Sequence, residues 1–174
     1  MSQVHLDVHD VGGKTLATPS GGTFYLRQPR VLAWVRFGRE YAMRQVVVDT
    51  GAPACILSKQ VWADYHARGE IAWVAHPPQA GDRDRLPRTN VHSGFYPYRL
   101  GRIRLELMDL GTGQLAPRDV LVICTEDVPL NPNSEPPELP RLLLIGLADV
   151  MHGRALLIEA SADGQQWTAT LSEP

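Results

Sequence analysis

The chain is short of cysteine, lysine and long apolar runs, and each shortage narrows what it is. Only two cysteines, Cys55 and Cys124, occur in 174 residues. That is too few for a disulfide framework, and their separation does not suggest zinc-ligand spacing. The longest apolar runs, such as Leu142-Leu143-Leu144-Ile145, fall far short of the roughly 20 residues a membrane span needs. The start, Met1-Ser2-Gln3-Val4-His5-Leu6-Asp7, has neither a basic n-region nor an apolar h-region. The expectation is a soluble, cytoplasmic protein without a signal peptide or a membrane partner. A basic excess is missing too. The formal net charge is −2, whereas nucleic-acid binding calls for a basic face. Arginine outnumbers lysine by fifteen to two, which reads as compositional bias, since arginine also serves ordinary surface pairs.

What is present is globular. Hydrophobic residues make up 44% and charged residues 21%, and the length fits one domain with a sizeable core. Residues 4–9 alternate as a half-buried strand would, placing His5, Asp7 and His9 on one face. Those three could be a metal site, but the chain offers no further nearby ligand or supporting partner, and a solvated strand face is the expectation. Gly12-Gly13 and Pro19-Ser20-Gly21-Gly22 read as turns or linkers, and residues 23–26 as a short strand. Residues 1–29 are therefore set apart as an N-terminal extension, and 30–174 as the main domain.

From residue 31 the pattern is regular. Residues 31–37 predict a strand, Gly38-Arg39-Glu40 a tight turn, and 41–48 the returning strand, buried on both faces. Cys55-Ile56-Leu57 is a short apolar run. Ser58 is placed to N-cap a helix over 59–68, closed by Gly69. Residues 77–87 read as a loop, and 88–108 as a long hairpin with its tip around Ser93-Gly94-Phe95. Arg99, Arg102 and Arg104 on its return arm read as a solvated strand face, or a surface favouring acidic substrates. Gly111-Thr112-Gly113 is a turn. It opens a string that matches a dinucleotide fingerprint by letters, but Pro117 and Arg118 follow where a helix must open. Further strands fall at 119–124, 142–145, 155–159 and 167–171, with a short helix at 147–151. Residues 127–140 hold five prolines and predict an extended loop. The sum is a mainly β, closed or sandwiched fold with one or two short helices.

The stretch that carries chemistry is Val46-Val47-Val48-Asp49-Thr50-Gly51-Ala52. Three β-branched residues run straight into an acid, a hydroxyl and a glycine. By composition alone Asp-Thr-Gly recurs in roughly one chain in thirty of this length, so the tripeptide by itself means little. An apolar strand before it and Ala after it lower that chance by about two further orders of magnitude. Ser58, Ser93 and Ser161 have no nucleophile-elbow context, and Cys55 sits in an apolar run that reads as core.

Val47-Val48-Asp49-Thr50-Gly51-Ala52 resembles the active-site signature of aspartic proteases. Leu144-Ile145-Gly146 resembles the apolar-apolar-Gly element that in that family passes beneath the active-site loop, and the hairpin around Gly94 occupies the place of the family's flap. The chain holds a single Asp-Thr-Gly, which resembles the retroviral-type (retropepsin-like) branch, where one site is built across a two-fold axis. The resemblance covers about residues 29–159. It implies an acid-protease β-barrel, a homodimer, a peptide or protein substrate, no cofactor and no metal. Asp49, Thr50 and Gly51 are then the catalytic loop. Ala52, Gly94, Phe95, Tyr96, Ile145 and Gly146 are substrate-binding.

The implied reaction follows from two carboxylates side by side. Like charges about 3 Å apart cannot both ionise, so the pair shares one proton. One member activates a water and the other donates to the scissile carbonyl. By the same resemblance the Thr50 hydroxyls would cross-link the two loops. The chain also departs from the retroviral pattern. Pro53 and Leu147 stand where an Asp and an Arg usually pair, and Pro97 stiffens the flap. The other reading is a catalytically inactive module that keeps the fold for dimerisation or peptide binding. An intact Asp-Thr-Gly favours the enzyme.

Overall fold

Alternation and β-branched content build strands here almost without interruption. The computed structural model describes residues 3–49, 51–91, 94–126, 143–146, 150, 154–163 and 166–172. Among them the strands are β1 (Gln3–Ala17), β2 (Thr23–Phe37), β3 (Arg44–Val48), β4 (Cys55–Leu57), β5 (Ala72–Ala75) and β6 (Arg88–Val91). They continue as β7 (Gly94–Met108), β8 (Leu115–Thr125), β9 (Leu143–Ile145), β10 (Ala155–Ala160) and β11 (Trp167–Ser172). The helix α1 spans Lys59–Ala67. The fold is mainly β, as the sequence predicts, and no helix among the described residues is long and apolar enough to cross a membrane.

The strands run in the order β10-β11-β1-β2-β3-β9-β4-β8-β7-β5, with β6 paired to β7. β7 also pairs back onto β2 through Val35↔Leu107, Arg36↔Glu106 and Phe37↔Leu105. The ladder β2-β3-β9-β4-β8-β7 therefore returns on itself. Two of its pairings are parallel, β3 with β9 and β4 with β8, so the sheet is mixed. Inward residues of every second position fill the space enclosed, as strand periodicity requires. Val35, Phe37, Leu57, Leu105, Leu107, Val120, Val122 and Ile145 are all essentially inaccessible to solvent. Truncating Phe37, Leu57, Leu105, Leu107 or Ile145 to Ala costs about 2–5 kcal/mol.

Several local expectations need correction. Gly12-Gly13 does not end a strand; it lies within β1, where the register with β2 shifts between Asp10 and Gly13, so the glycines serve a bulge. Residues 3–29, expected as an extension with short strands, form β1 and half of β2, and Val4 and Leu6 pack in the central core. Pro29 is accommodated inside β2 because it faces Asp10 at that register shift. The strand after Gly38 starts at Arg44 rather than Tyr41, which is fully exposed. Ser58 precedes α1 in an extended conformation but makes no side-chain cap bond. Gly69 does close the helix, at φ +68. β5 was not foreseen. Apart from Val150, a buried turn residue, the predicted helix at 147–151 lies outside the described residues, as does the proline-rich loop.

Candidate active site

β3 delivers Asp49 to the end of the sheet, and the chain then turns back into β4. The Asp49 side chain shapes that turn: its Oδ1 accepts from the Gly51 amide at 2.9 Å, and its carbonyl accepts from Ala52 N at 3.1 Å. Asp and Gly suit such a turn because the carboxylate substitutes for a backbone acceptor. The strand is less buried than its composition suggests. Val46 is buried, while Val47, Val48 and Asp49 are half-buried. Asp49 thus sits at an open end of the sheet, where water reaches it.

β9 passes between the two arms of this loop. It pairs in parallel with β3 (Val47↔Leu144, Val48↔Ile145) and antiparallel with β4 (Ile56↔Leu144, Leu57↔Leu143). The Asp49 amide extends the first ladder by donating to Ile145 O at 2.9 Å. The next residue is Gly146, and only glycine fits there. A Cβ would stand 2.2 Å from Ala54 O, 2.3 Å from Ala54 C and 2.8 Å from Ala52 O. Backbone lies against backbone, with the glycine directly against the far arm of the loop.

The predicted hairpin is present as β6 and β7, in the register Arg88↔Pro97, Thr89↔Tyr96, Asn90↔Phe95 and Val91↔Gly94. Of the expected tip around Ser93-Gly94-Phe95, Gly94 and Phe95 already belong to β7, and Ser93 lies outside the described residues. Ala52, Ala54, Ile56 and Ile123 form a small apolar cluster against which Tyr96, Tyr98, Leu100, Leu121 and Leu144 pack. Tyr96 and Tyr98 therefore reach the wall beside the Asp49 loop. Phe95 does not: it has the opposite parity in the strand and is 70% exposed.

Of the residues singled out from sequence, Asp49, Gly51, Ala52, Ile145, Gly146 and Tyr96 come together. Gly94 begins β7, Phe95 points away from the cluster, and Thr50 lies outside the described residues. Cys55 and Cys124 are fully buried, and burial pushes the Cys124 thiol well above its ordinary range, so neither is poised as a nucleophile. His5, Asp7 and His9 separate into two pairs. His5 Nδ1 meets Asp109 Oδ1 at 2.9 Å, and His9 Nε2 meets Asp7 Oδ2 at 2.9 Å.

The arginine face also divides. Arg104 pairs with Glu106 at 3.0 Å on the outer surface, and Arg102 lies on that same face. Arg99 is buried at 3% exposure. Its Nη1 and Nη2 each reach an Asp82 carboxylate oxygen at 2.7 Å, its Nε reaches Glu126 Oε1 at 2.5 Å, and Nη1 also donates to the carbonyls of His76 and Pro77. Lys59 Nζ holds the other Glu126 oxygen at 2.6 Å. These bonds hold the Asp82 carboxyl below its ordinary value. Burial alone would push Glu126 up, but Lys59 and Arg99 outweigh it and hold that carboxyl down as well. The sequence carried one usable signal, since Arg99 shares parity with Ile103 and Leu105 rather than with Arg102 and Arg104.

Asp109 is the second buried acid that sequence reasoning missed. It accepts from the Thr112 hydroxyl at 2.5 Å, from His5 N at 2.8 Å and from Gly111 N at 3.1 Å. The Thr112 bond first, with the His5 amide behind it, holds its carboxyl well below the usual carboxylate range. The dinucleotide-like string is accordingly the β7–β8 turn, with Gly113 at φ +73. Comparison of the chain with family models, curated proteins and solved structures finds no significant match.

Proposed function

We propose that the chain is a retropepsin-like aspartic endopeptidase, built on an acid-protease β-barrel and active as a homodimer that contributes one Asp49 from each protomer. The observation that carries this reading is the interlock of β9 with the Asp49 loop. A strand held between the two arms of the loop, with Gly146 pressed on Ala52 and Ala54, fixes the position of a carboxylate that stays open to water. A turn that merely connected two strands would need neither the threading strand nor the glycine. The hairpin whose tyrosines pack beside the loop supports the reading, because a peptide substrate has to be held and shielded from bulk water there.

The chemistry follows from a two-fold axis that brings the two Asp49 side chains together. The pair shares one proton. Its ionised member takes a proton from a water held between the carboxylates, and that water's oxygen bonds to the scissile carbonyl carbon. The protonated member donates to the carbonyl oxygen. Collapse of the resulting diol breaks the C–N bond as the leaving amine gains a proton. Gly51 leaves space for substrate beside the loop, and Ala52 lines the wall with Tyr96. The shared site is tested by sedimentation across the concentration range in which a peptide library is cleaved. Specific activity rising with the dimer fraction supports it, and full activity from a monomer contradicts it.

A further inference from the structure

We propose that Arg99 is the positioning residue of the β6–β7 hairpin, a clamp at its root that sets where Tyr96 and Tyr98 stand against the Asp49 loop. The pairing register locates the root. From Tyr98 onward β7 is paired with β8, beginning at Tyr98↔Thr125, whereas residues 94–97 pair with β6 alone. A two-stranded hairpin has little stability of its own, so its direction is set where it leaves the sheet. Arg99 sits one residue inside that point.

Its partners all come from segments that flank the hairpin. His76, Pro77 and Asp82 belong to the loop entering β6, and Glu126 follows the strand against which β7 first pairs. Backbone bonds close the same joint, from Tyr98 N to Pro87 O at 3.0 Å and from Glu126 N to Pro97 O at 2.9 Å. The two faces of β7 are thus held differently. Tyr96, Tyr98 and Leu100 rest on the apolar cluster beside Asp49, and Arg99 anchors the opposite face through charge. His76 adds an independent sign. It is the one non-glycine residue with positive φ among the described residues, at +57°, and its carbonyl accepts from Arg99 Nη1 at 3.0 Å. A strained backbone persists where its surroundings over-determine it, and here the guanidinium is that surrounding.

That this hairpin covers a substrate rests on the function proposed above; the clamp itself does not. Hydrogen exchange on the full chain separates the two. In Arg99→Met, amides of residues 88–91 and 94–96 exchange about tenfold faster or more, while those of β10 and β11 stay within about twofold of wild type. Arg99→Lys, which keeps the charge and one donor nitrogen in place of three, falls between. Arg104→Gln, on the outer face of the same strand, leaves the hairpin unchanged. If Arg99→Met does not fold, Glu126→Gln makes the same comparison. Unchanged hairpin exchange, or acceleration spread equally over the chain, overturns the clamp. In peptide cleavage the loss in kcat/KM is about tenfold or more and falls mainly on KM. A loss confined to kcat would place Arg99 in the chemistry and overturn its positioning role. If no cleavage is seen in any variant, the exchange result still decides the clamp.

Discussion

The amide of Asp49 donates to the carbonyl of Ile145 at 2.9 Å, so the acid is placed by a strand that arrives much later in the chain. Strand β3 alone could not hold it. The loop is defined only once β9 has entered between β3 and β4, and Gly146 is what lets it enter.

Gly146→Ala should therefore be costly. The added Cβ meets the backbone atoms of Ala52 and Ala54, which cannot rotate away as a side chain would. A loss of about 2–4 kcal/mol is expected in denaturant unfolding. Gly113→Ala is the comparison, since it has open space and only a positive φ, and costs about 1 kcal/mol. Equal losses at the two positions would remove the close approach from the account.

The shared site predicts interference between chains. Mixed with an excess of Asp49→Asn, wild-type protein at fixed concentration should lose cleavage as heterodimers with a single carboxylate form. Activity indifferent to the added variant would mean that each protomer works alone. The assay needs equilibration long enough for subunits to exchange.

Stability should fall in acid, and the sign is set by depressed carboxyls. Asp109, Asp82 and Glu126 are each held below their ordinary values in the folded chain. Their contribution is complete above the unfolded values of about 4 and is lost as pH falls through the lower folded values. Urea midpoints should be level from about pH 7 to 5 and drop steeply below about pH 4. In Asp109→Asn, which cannot titrate at that position, the drop between neutral and acid pH should shrink. The same acid drop in both proteins would show that Asp109 contributes nothing to it.

Much of this was legible from sequence because short-range patterns decide it. Alternation gave the first half of β1, short apolar runs gave β4 and parts of β8, β9 and β10, and the order of Asp49, the hairpin and Leu144-Ile145-Gly146 gave the parts of the candidate site. The misreadings share a cause. Gly12-Gly13 reads as a break because glycine is a turn former, yet pairing with β2, whose register shifts between Asp10 and Gly13, makes it a bulge. Arg99 reads as surface because arginine usually is, yet Asp82 and Glu126, distant in sequence, make burial affordable. The half-burial of Val47 and Val48 depends on which strands flank β3, and no local pattern contains that.

The central claim is that Asp49 is the catalytic acid. Cleavage of a peptide library by wild type and by Asp49→Asn, both shown to be folded, compared from acidic to neutral pH, tests it most directly. The account predicts cleavage by the wild type and a fall of about three orders of magnitude or more in the variant. Equal cleavage by the two proteins, or none by a dimeric wild type at any pH, would contradict it.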